Sequence, residues 1–364
     1  TALLVGGWCG LRRFADEAEC AMKRPLVTLE LLSGGGVADI RNHYLLDYII
    51  KFLLTMTRLF IIFILILSPV ISLADVMRVT ILGSGTPRPD IERFSQAILI
   101  EAGEDKLLFD TGRGTSIRLS QMDFNIGKVD KIFFTHLHSD HIVGFPDVLM
   151  TGWVYQRNKE LKIYGPPGTK HFVKKIYEAF SEDIVIRTSK PEELKIEGMR
   201  LNVNEIESGL VYKNKDVSVN VFEVDHGGGV EHSLGYKISY KGRTVIISGD
   251  TNYSENLVNN AKGADLLIHE IADAPEDLVK YNAKVRGLMD YHTTPSEMAK
   301  IINIAEPKLT VLTHILALGG TTHLSILNSV KSKLNKDYKV MTAYDLMAID
   351  VKENIRTYSI DYTR

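Results

Sequence analysis

Short apolar runs recur along the chain from about residue 77 onward, separated by polar and glycine-containing segments. Runs of this kind, bounded by turn residues, are typical of buried β-strands. The pattern predicts strands over Met77 to Leu82, Gln96 to Glu101, Lys106 to Phe109, Lys131 to Thr135, Val217 to Val224, Leu234 to Tyr240, Thr244 to Ile247, Asp265 to Ile268 and Leu309 to Leu312. Helices are predicted over Ile142 to Met150, near Pro295 to Ile304 and over Thr322 to Leu334.

Polar residues with metal-binding side chains follow several of these strands directly. The densest group is His136, His138, Asp140 and His141, between the strand that ends at Thr135 and the next predicted helix. Only 11 His occur in 364 residues, so chance clustering of three is improbable. Nitrogen and carboxylate ligands without sulfur favour zinc, with iron and manganese as alternatives. His136 and His138 can face one ion from an extended strand end, and Asp140 and His141 can face a second.

The His-x-His-x-Asp-His run resembles the signature of the metallo-β-lactamase superfamily of dinuclear metallohydrolases. The resemblance extends from about Met77 to Tyr358, and Gly83 to Pro87 is similar to the opening turn of the ribonuclease Z and arylsulfatase-like branch. Asp110-Thr111-Gly112 also matches that branch. The implied fold class is α/β, a four-layer αβ/βα sandwich with two mixed sheets, outer helices and metals at one rim. Strands up to Thr135 would build the first half, and those from Val217 onward the second.

The same resemblance implies the remaining metal ligands. His226 corresponds to the third His of the first metal, Asp250 to the bridging carboxylate and His314 to the last ligand of the second metal. Each follows a predicted strand, as expected if a central sheet delivers ligands to one rim. His232 is an alternative to His226 because it lies only six residues further on. The implied cofactor is a pair of Zn²⁺ ions, with Mn²⁺ or iron as alternatives.

Two further fragments resemble the catalytic pair of the ribonuclease Z branch: Glu270, after the strand Asp265 to Ile268, and His292. Downstream of His292, Thr294, Pro295 and Glu297 predict a helix start with a capping box. The helix would then fix the position of the His. The alternatives are a surface residue beside a helix cap for His292 and a plain buried ion pair for Glu270.

The resemblance implies hydrolysis of a phosphodiester or a sulfate ester by a hydroxide shared between two metals. Asp140 would hold the second ion and orient this nucleophile, and His292, oriented by Glu270, would protonate the leaving oxygen. A β-lactam-hydrolysing metallo-β-lactamase is one alternative, and an iron-dependent oxidoreductase on the same fold is another. Cys9 and Cys20 are the only cysteines and both precede residue 75, which excludes the β-lactamase subclass that uses a Cys ligand.

The segment before the enzyme has the order of a secretory signal. Met56-Thr57-Arg58 precedes the uncharged run Leu59 to Leu73, and Ser72-Leu73-Ala74 offers the small residues of a cleavage site. We predict three parts. Residues 1–55 are an upstream segment of unknown role, with a non-native origin as an alternative; residues 56–74 are a signal peptide, and residues 75–364 are the hydrolase domain.

This signal predicts a periplasmic or secreted protein with no stable membrane insertion after cleavage. An uncleaved membrane anchor is the alternative, although the run is interrupted by Pro69 and is short of the roughly twenty residues that a spanning helix needs.

Composition and charge indicate which class of substrate the chain is expected to bind. At 45% hydrophobic and 24% charged residues, the chain is typical of a globular enzyme. Residues 75–364 carry 36 Lys and Arg against 39 Asp and Glu, a formal net charge of −3, so there is no overall basic surface for nucleic acid. The interval 227–249 is also too short for the tRNA-gripping arm that ribonuclease Z carries there. We therefore expect a small-molecule or short ester substrate rather than tRNA, with a homodimer as a candidate assembly.

Two features near the predicted site have alternative interpretations. Trp153 and Tyr155 follow the metal-binding segment and could wall a pocket for a planar substrate group, or could simply pack in the core. Gly227-Gly228-Gly229 follows His226 and is expected to form a turn, with a mobile lip over the site as the alternative.

Overall fold

The computed structural model describes residues 47–58 and 76–362. The chain divides into two units, Thr1–Val70 and Ile71–Arg364. In the first unit, residues 47–58 are helical and most of their side chains are exposed. Across the two described ranges, no helix has both the length and the apolar character that crossing a membrane requires. From residue 59 to its cleavage point before Asp75, the predicted signal peptide lies outside the described residues and stays a prediction.

The described part of the second unit is built on two β-sheets. Its strands are β1 Met77–Gly83, β2 Ala97–Ala102, β3 Asp105–Phe109, β4 Lys131–Phe133, β5 Leu161–Gly165, β6 Leu201–Glu205, β7 Gly209–Asn214, β8 Val217–Val224, β9 Ser233–Tyr240, β10 Arg243–Ile247, β11 Leu266–Asp273, β12 Leu309–Ala317, β13 Val340–Thr342, β14 Met347–Val351 and β15 Arg356–Ser359. The eight-stranded sheet has the order β15-β14-β1-β2-β3-β4-β5-β6, and the seven-stranded sheet has the order β13-β12-β11-β10-β9-β8-β7.

Helices connect the strands and cover the outer faces of the sheets. They are α1 Thr115–Gln121, α2 Ser139–Ile142, α3 Phe145–Val154, α4 Thr169–Ala179, α5 Ser181–Thr188, α6 Glu255–Ala261, α7 Glu276–Tyr281, α8 Ala283–Asp290, α9 Pro295–Ala305 and α10 His323–Lys331. Helices α1, α3, α4 and α5 pack on the eight-stranded sheet through one apolar cluster. Helices α6, α9 and α10 pack on the seven-stranded sheet through another.

The central core lies between the two sheets. Alternate residues of one strand serve different layers: Ile98 and Ile100 of β2 face the other sheet, whereas Leu99 packs under the outer helices. A strand that is buried on both faces must be apolar at nearly every position. The short apolar runs of the sequence therefore mark this architecture, and the predicted four-layer sandwich is confirmed.

The helix predicted over Ile142 to Met150 is divided in two. Helix α2 ends at Ile142 and α3 begins at Phe145, with Gly144 between them. The Gly144 amide donates to the Thr111 carbonyl oxygen at 2.8 Å. A Cβ on Gly144 would lie 2.3 Å from the carbonyl oxygen of Gly112, so only glycine permits this approach. The chain bends there to hold the metal-binding segment against the Asp110-Thr111-Gly112 turn.

The assignment of every strand from Val217 onward to the second half is wrong for the last two. Strand β14 returns to the first sheet and pairs antiparallel with β1, with Met77 opposite Val351. Met347, Ile349 and Val351 fill the core between the sheets. The pairing also covers the outer edge of β1, whose unpaired backbone groups would otherwise lie open.

Candidate metal centre

Two sets of parallel strands deliver most of the predicted ligands to one rim of the sandwich, and His226 follows β8, which pairs antiparallel with β9. In the first sheet β3, β4 and β5 run parallel, and in the second β10, β11 and β12 do so. The segment His136 to His141 follows β4, and Asp250 follows β10. His136 and His141 are fully buried, whereas His138 is exposed. Because carboxyl ends of neighbouring parallel strands meet at one edge, ligands far apart in sequence converge here.

The first cluster contains His136, His138 and His226, whose ligand atoms lie within 4.8 Å of one another. His138 Nδ1 is 3.0 Å from His136 Nε2 and 3.2 Å from His226 Nε2. The Nδ1 atom of His226 lies 3.1 Å from the Tyr291 carbonyl oxygen, which can only accept, so Nδ1 carries the proton and Nε2 presents a lone pair. His138 Nδ1 carries at most one proton, so it can donate to only one of His136 Nε2 and His226 Nε2 at a time. A cation between the rings would satisfy all three.

The second cluster contains Asp140, His141 and His314, with Asp250 beside it. His314 Nε2 lies 3.0 Å from Asp140 Oδ2 and 3.4 Å from Asp250 Oδ2. His141 Nε2 is 3.4 Å from the same Asp250 oxygen and has no hydrogen-bond partner among the described residues. Asp250 Oδ2 also lies 4.0 Å from His136 Nε2. This carboxylate therefore stands between the two clusters.

His314 reaches the rim in a way that the strand pattern did not indicate. The strand was expected to end at Leu312, but β12 continues to Ala317. Its pairing with β11 shifts register between Glu270 and Ile271, which makes His314 the extra residue of a bulge with φ of 43°. The His314 amide donates to the Ser84 carbonyl oxygen at 3.0 Å instead of to the ladder. The bulge turns the imidazole towards Asp140.

Burial and neighbouring charges shift the pKa values of the cluster residues in different directions. Burial lowers the pKa of His136 well below its usual value, so this imidazole is neutral. Burial alone would raise the pKa of Asp250, but His314 and His141 outweigh it and hold that pKa well below its usual range. Burial opposes a charged His141, yet Asp250 and Asp110 raise its pKa well above the ordinary value. The two carboxylates thus favour a positive charge at this position.

Asp110 is a positioning residue to which the sequence pattern gave no role. Its Oδ2 lies 2.8 Å from His141 Nδ1, and its Oδ1 accepts a hydrogen bond from the Thr135 amide at 2.8 Å. The carboxylate fixes the His141 tautomer, so that Nε2 faces the cluster. The sequence did contain a signal that could have identified Asp110, because it is a polar residue at the end of an apolar strand, as the predicted ligands are.

The predicted catalytic pair is brought together beside the second cluster. His292 Nδ1 lies 3.2 Å from Glu270 Oε2, and both side chains are buried. One ring nitrogen of His292 lies within 4.8 Å of ligand atoms of Asp250 and His314. Burial opposes the charged imidazole, but Glu270 outweighs it and raises the pKa of His292 to about 9.

The expected capping box after His292 is present. The Glu297 amide donates to Thr294 Oγ1, the Glu297 carboxylate accepts from the Thr294 amide, and Pro295 occupies the first turn. The Thr293 amide donates to Glu270 Oε1 at 2.9 Å. The start of α9 thus holds the chain at His292 in place.

Four further predictions from the sequence concern Trp153, Tyr155, His232 and the glycines after His226. Trp153 is 2% exposed in the core under the outer helices, where its Nε1 donates to the Lys195 carbonyl oxygen, so core packing rather than a pocket wall accounts for it. Tyr155 is 61% exposed at the end of α3. Among the described residues, the candidate ligand groups include His226 and not His232. Gly227 to Gly229 form a turn, closed by the Val230 amide on the Gly227 carbonyl oxygen.

The donor set fits metal ions. Lone-pair nitrogens face one another in the first cluster, and His141 Nε2 is buried without a hydrogen-bond partner in the second. Nitrogen and carboxylate donors of this kind suit zinc.

Comparisons with known proteins identify the family and the fold. The family model described as anti-Pycsar protein Apyc1 matches residues 77–303. A ribonuclease Z of Mycolicibacterium gilvum is 33% identical over 243 residues, which cover 65% of this chain and 84% of the relative. The crystal structure of human tRNase Z, short form, is similar with a TM-score of 0.57 and 26% identity, covering 76% of this chain and 100% of that chain. The metallo-β-lactamase fold protein YhfI of Bacillus subtilis has a TM-score of 0.59 at 18% identity, with 76% and 100% coverage, and shows the fold alone.

The expectation that tRNA is not a partner is wrong, because these relatives are ribonuclease Z proteins and one is named as a tRNase Z. The error has a physical reason. Net charge sums the whole chain, whereas binding to phosphates depends on local groups of cations. On the segment between Glu270 and His292, for example, three exposed cations (Lys280, Lys284 and Arg286) accompany three exposed carboxylates (Glu276, Asp277 and Asp290), a local arrangement that the net charge does not show.

Proposed function

The chain belongs to the ribonuclease Z-like branch of the metallo-β-lactamase superfamily, in the family described as anti-Pycsar protein Apyc1, and on that basis we propose that it is a metal-dependent hydrolase of phosphodiester bonds. One observation carries the proposal. Two His and Asp clusters flank Asp250, and the His292 and Glu270 pair stands beside them. A pair of cation sites next to a proton donor is what cleavage of an anionic ester needs.

The chain offers a complete ligand set for two ions. His136, His138 and His226 would hold one, and Asp140, His141 and His314 the other, with Asp250 shared between them. Zinc suits these donors, and manganese and iron are the alternatives. When bound, such a pair supplies an activated water and neutralises charge that develops on the phosphate.

The residues around the ions would orient the attacking water and protonate the leaving group. Asp140 would orient the attacking water from its position beside Asp250. His292 would donate a proton to the leaving oxygen, because Glu270 holds its Nδ1 and leaves the other ring nitrogen for the substrate. With the pKa of His292 raised to about 9, the imidazole carries that proton at neutral pH in the metal-free protein.

The substrate class is supported by the relatives and by the surface beside the site. Helices α7 and α8 lie between Glu270 and His292 in sequence and form a surface of mixed charge, with Lys280, Lys284 and Arg286 exposed beside Glu276, Asp277 and Asp290. Tyr281 is 77% exposed in the same segment. Cations next to an exposed aromatic ring are suited to phosphates and stacked bases. Nucleotide phosphodiesters, including those of RNA, are therefore the first substrates to try.

The test is hydrolysis by the full chain loaded with Zn²⁺ or Mn²⁺. The panel contains bis(p-nitrophenyl) phosphate, a single-stranded oligoribonucleotide, a tRNA precursor with a 3′ extension, p-nitrophenyl sulfate and a chromogenic β-lactam. We expect turnover of at least one phosphodiester, lost after chelation and restored by metal. Turnover of the sulfate or the β-lactam alone would contradict the proposal, and so would phosphodiester cleavage that survives complete metal removal.

A further inference from the structure

Tyr291 contacts both the first histidine cluster and the predicted catalytic pair. Its carbonyl oxygen accepts the hydrogen bond from His226 Nδ1 at 3.1 Å, which directs His226 Nε2 towards His138. The next residue in the chain is His292, which pairs with Glu270. A movement of Tyr291 would therefore move a ligand of the first cluster and the proton donor together.

The Tyr291 ring packs against both imidazoles, which also contact each other edge to face with their centroids 5.2 Å apart. Its centroid lies 5.3 Å from that of His226, in an edge-to-face arrangement at 81°, and 4.9 Å from that of His292 at 47°. Aromatic pairs in this distance range attract one another beyond the area that they bury. The ring thus contributes to the orientation of both histidines.

A glycine turn packs against Tyr291. A Cβ on Gly227 or Gly228 would lie 3.2 Å from an atom of Tyr291, which is tighter than ordinary contact, whereas a Cβ on Gly229 would meet nothing within 4 Å. The φ angles are 64° at Gly227, 58° at Gly228 and 87° at Gly229. The absence of side chains on the first two glycines lets the turn approach the Tyr291 Cβ atom and ring this closely.

The chain before Tyr291 gives it little support. Helices α7 and α8 bury none of their residues, so the segment that leads to Tyr291 is not anchored in a core. On the other side, Thr293 is fixed because its hydroxyl donates to the Thr251 carbonyl oxygen and its carbonyl oxygen accepts from the Ala272 amide. The position of His292 is therefore defined from one side by Thr293 and from the other by Tyr291.

We propose that Tyr291, held by the close approach of Gly227 and Gly228, is the positioning residue that fixes His226 and His292 relative to each other. The proposal rests on the proposed function where it concerns His292, since that part matters only if His292 is the proton donor. The part that concerns His226 stands on metal binding alone. The ring and the backbone carry the role, and the phenol hydroxyl is dispensable.

The experiment compares Gly228→Ala with the matched control Gly229→Ala in the full chain. Both substitutions place an L residue at a positive φ, and the 87° at position 229 is further from the left-handed region of L residues than the 58° at position 228, so the control carries at least as much backbone strain. Only the methyl group at 228 meets Tyr291. Tyr291→Ala and the conservative Tyr291→Phe complete the set. Each variant is titrated with Zn²⁺ against a chromophoric chelator, and each is assayed on an alkyl phosphodiester and on bis(p-nitrophenyl) phosphate.

We expect Gly228→Ala and Tyr291→Ala to weaken zinc binding at the first cluster by about tenfold or more, the range for residues that orient a metal ligand. Turnover of the alkyl ester should fall at least tenfold further than that of the nitrophenyl ester, which needs no acid. Gly229→Ala and Tyr291→Phe should stay within about twofold of wild type in both measurements.

Three results would overturn the inference. One is a loss in Gly229→Ala equal to that in Gly228→Ala, which would assign the effect to backbone strain. Another is a rise in KM alone for Tyr291→Ala, with zinc affinity and leaving-group preference unchanged, which would make Tyr291 a substrate contact. The third is unchanged zinc affinity in Gly228→Ala and Tyr291→Ala. Absence of any phosphodiester turnover in wild type would instead refute the proposed function, and the zinc titration would still decide the role of Tyr291 towards His226.

Discussion

His141 Nδ1 lies 2.8 Å from Asp110 Oδ2, in a contact between residues 31 positions apart that is closed off from solvent. The contact leaves His141 Nε2 directed at Asp250 and Asp140, at 3.4 and 3.6 Å. Asp110 is itself held by the Thr135 amide, at the end of the strand that leads into the metal-binding segment. A carboxylate behind a ligand histidine fixes the ring and increases its basicity, so Asp110 should contribute to metal affinity without touching the metal.

We expect Asp110→Asn to weaken metal binding at the second cluster by about 10- to 100-fold, because an amide presents one acceptor where the carboxylate offers two to Thr135 and His141. The measurement is zinc affinity by competition with a chelator. Asp105→Asn is a matched control, since Asp105 is also a buried carboxylate but bonds Tyr212 and Asn214 instead of a ligand. Equal affinities in wild type and Asp110→Asn would contradict the positioning role.

The double variant His136→Ala, His138→Ala should lose the metal of the first cluster together with activity, because two of its three imidazoles are gone. Elemental analysis of purified protein measures the loss. His232→Ala is the control, since His232 is absent from the candidate ligand groups, and His226→Ala should behave like the double variant. Loss of metal in His232→Ala with retention in His226→Ala would reverse the choice between these two histidines.

Much of the site could be predicted because ligands follow apolar strands, and a strand end is visible in one sequence. His136, Asp250 and Glu270 lie where the pattern and the family resemblance placed them. His314 was assigned correctly to the rim, but its bulge was not foreseen, since a bulge depends on the register against β11. The alternation of buried and exposed side chains along one strand does not show how that strand is aligned with its neighbour.

The roles that escaped prediction depend on contacts between distant segments. Asp110 acts through a residue 31 positions away, and Tyr291 acts through one 65 positions away. Strand β14 was misassigned for the same reason, because its partner β1 lies at the other end of the described unit. Apolar periodicity shows that a strand is buried without showing which sheet contains it.

The pH dependence of His292 can be tested in metal-free protein by NMR titration of the imidazole. The pKa is raised from 6.5 to about 9, so the pair with Glu270 stabilises the folded state fully below about pH 6.5 and loses this contribution as pH rises through about 9. The contribution is on the order of 3 kcal/mol. In Glu270→Gln the burial effect prevails, so the pKa of His292 should fall below 6.5. An unchanged titration in that variant would remove Glu270 as the cause.

The last prediction separates chemistry from metal binding. If His292 protonates the leaving oxygen, His292→Ala should lower turnover of an alkyl phosphodiester by about 10² to 10⁴. Bis(p-nitrophenyl) phosphate should lose far less, because nitrophenolate departs without a proton. Metal content, measured on the same samples, should match wild type if His292 is not a ligand, although one of its ring nitrogens lies within 4.8 Å of ligand atoms of Asp250 and His314. Loss of one metal would make His292 a ligand, and equal losses on both esters with metals retained would make it a residue that shapes the pocket. A large loss confined to the alkyl ester, with both metals in place, is the one combination that only a proton donor produces.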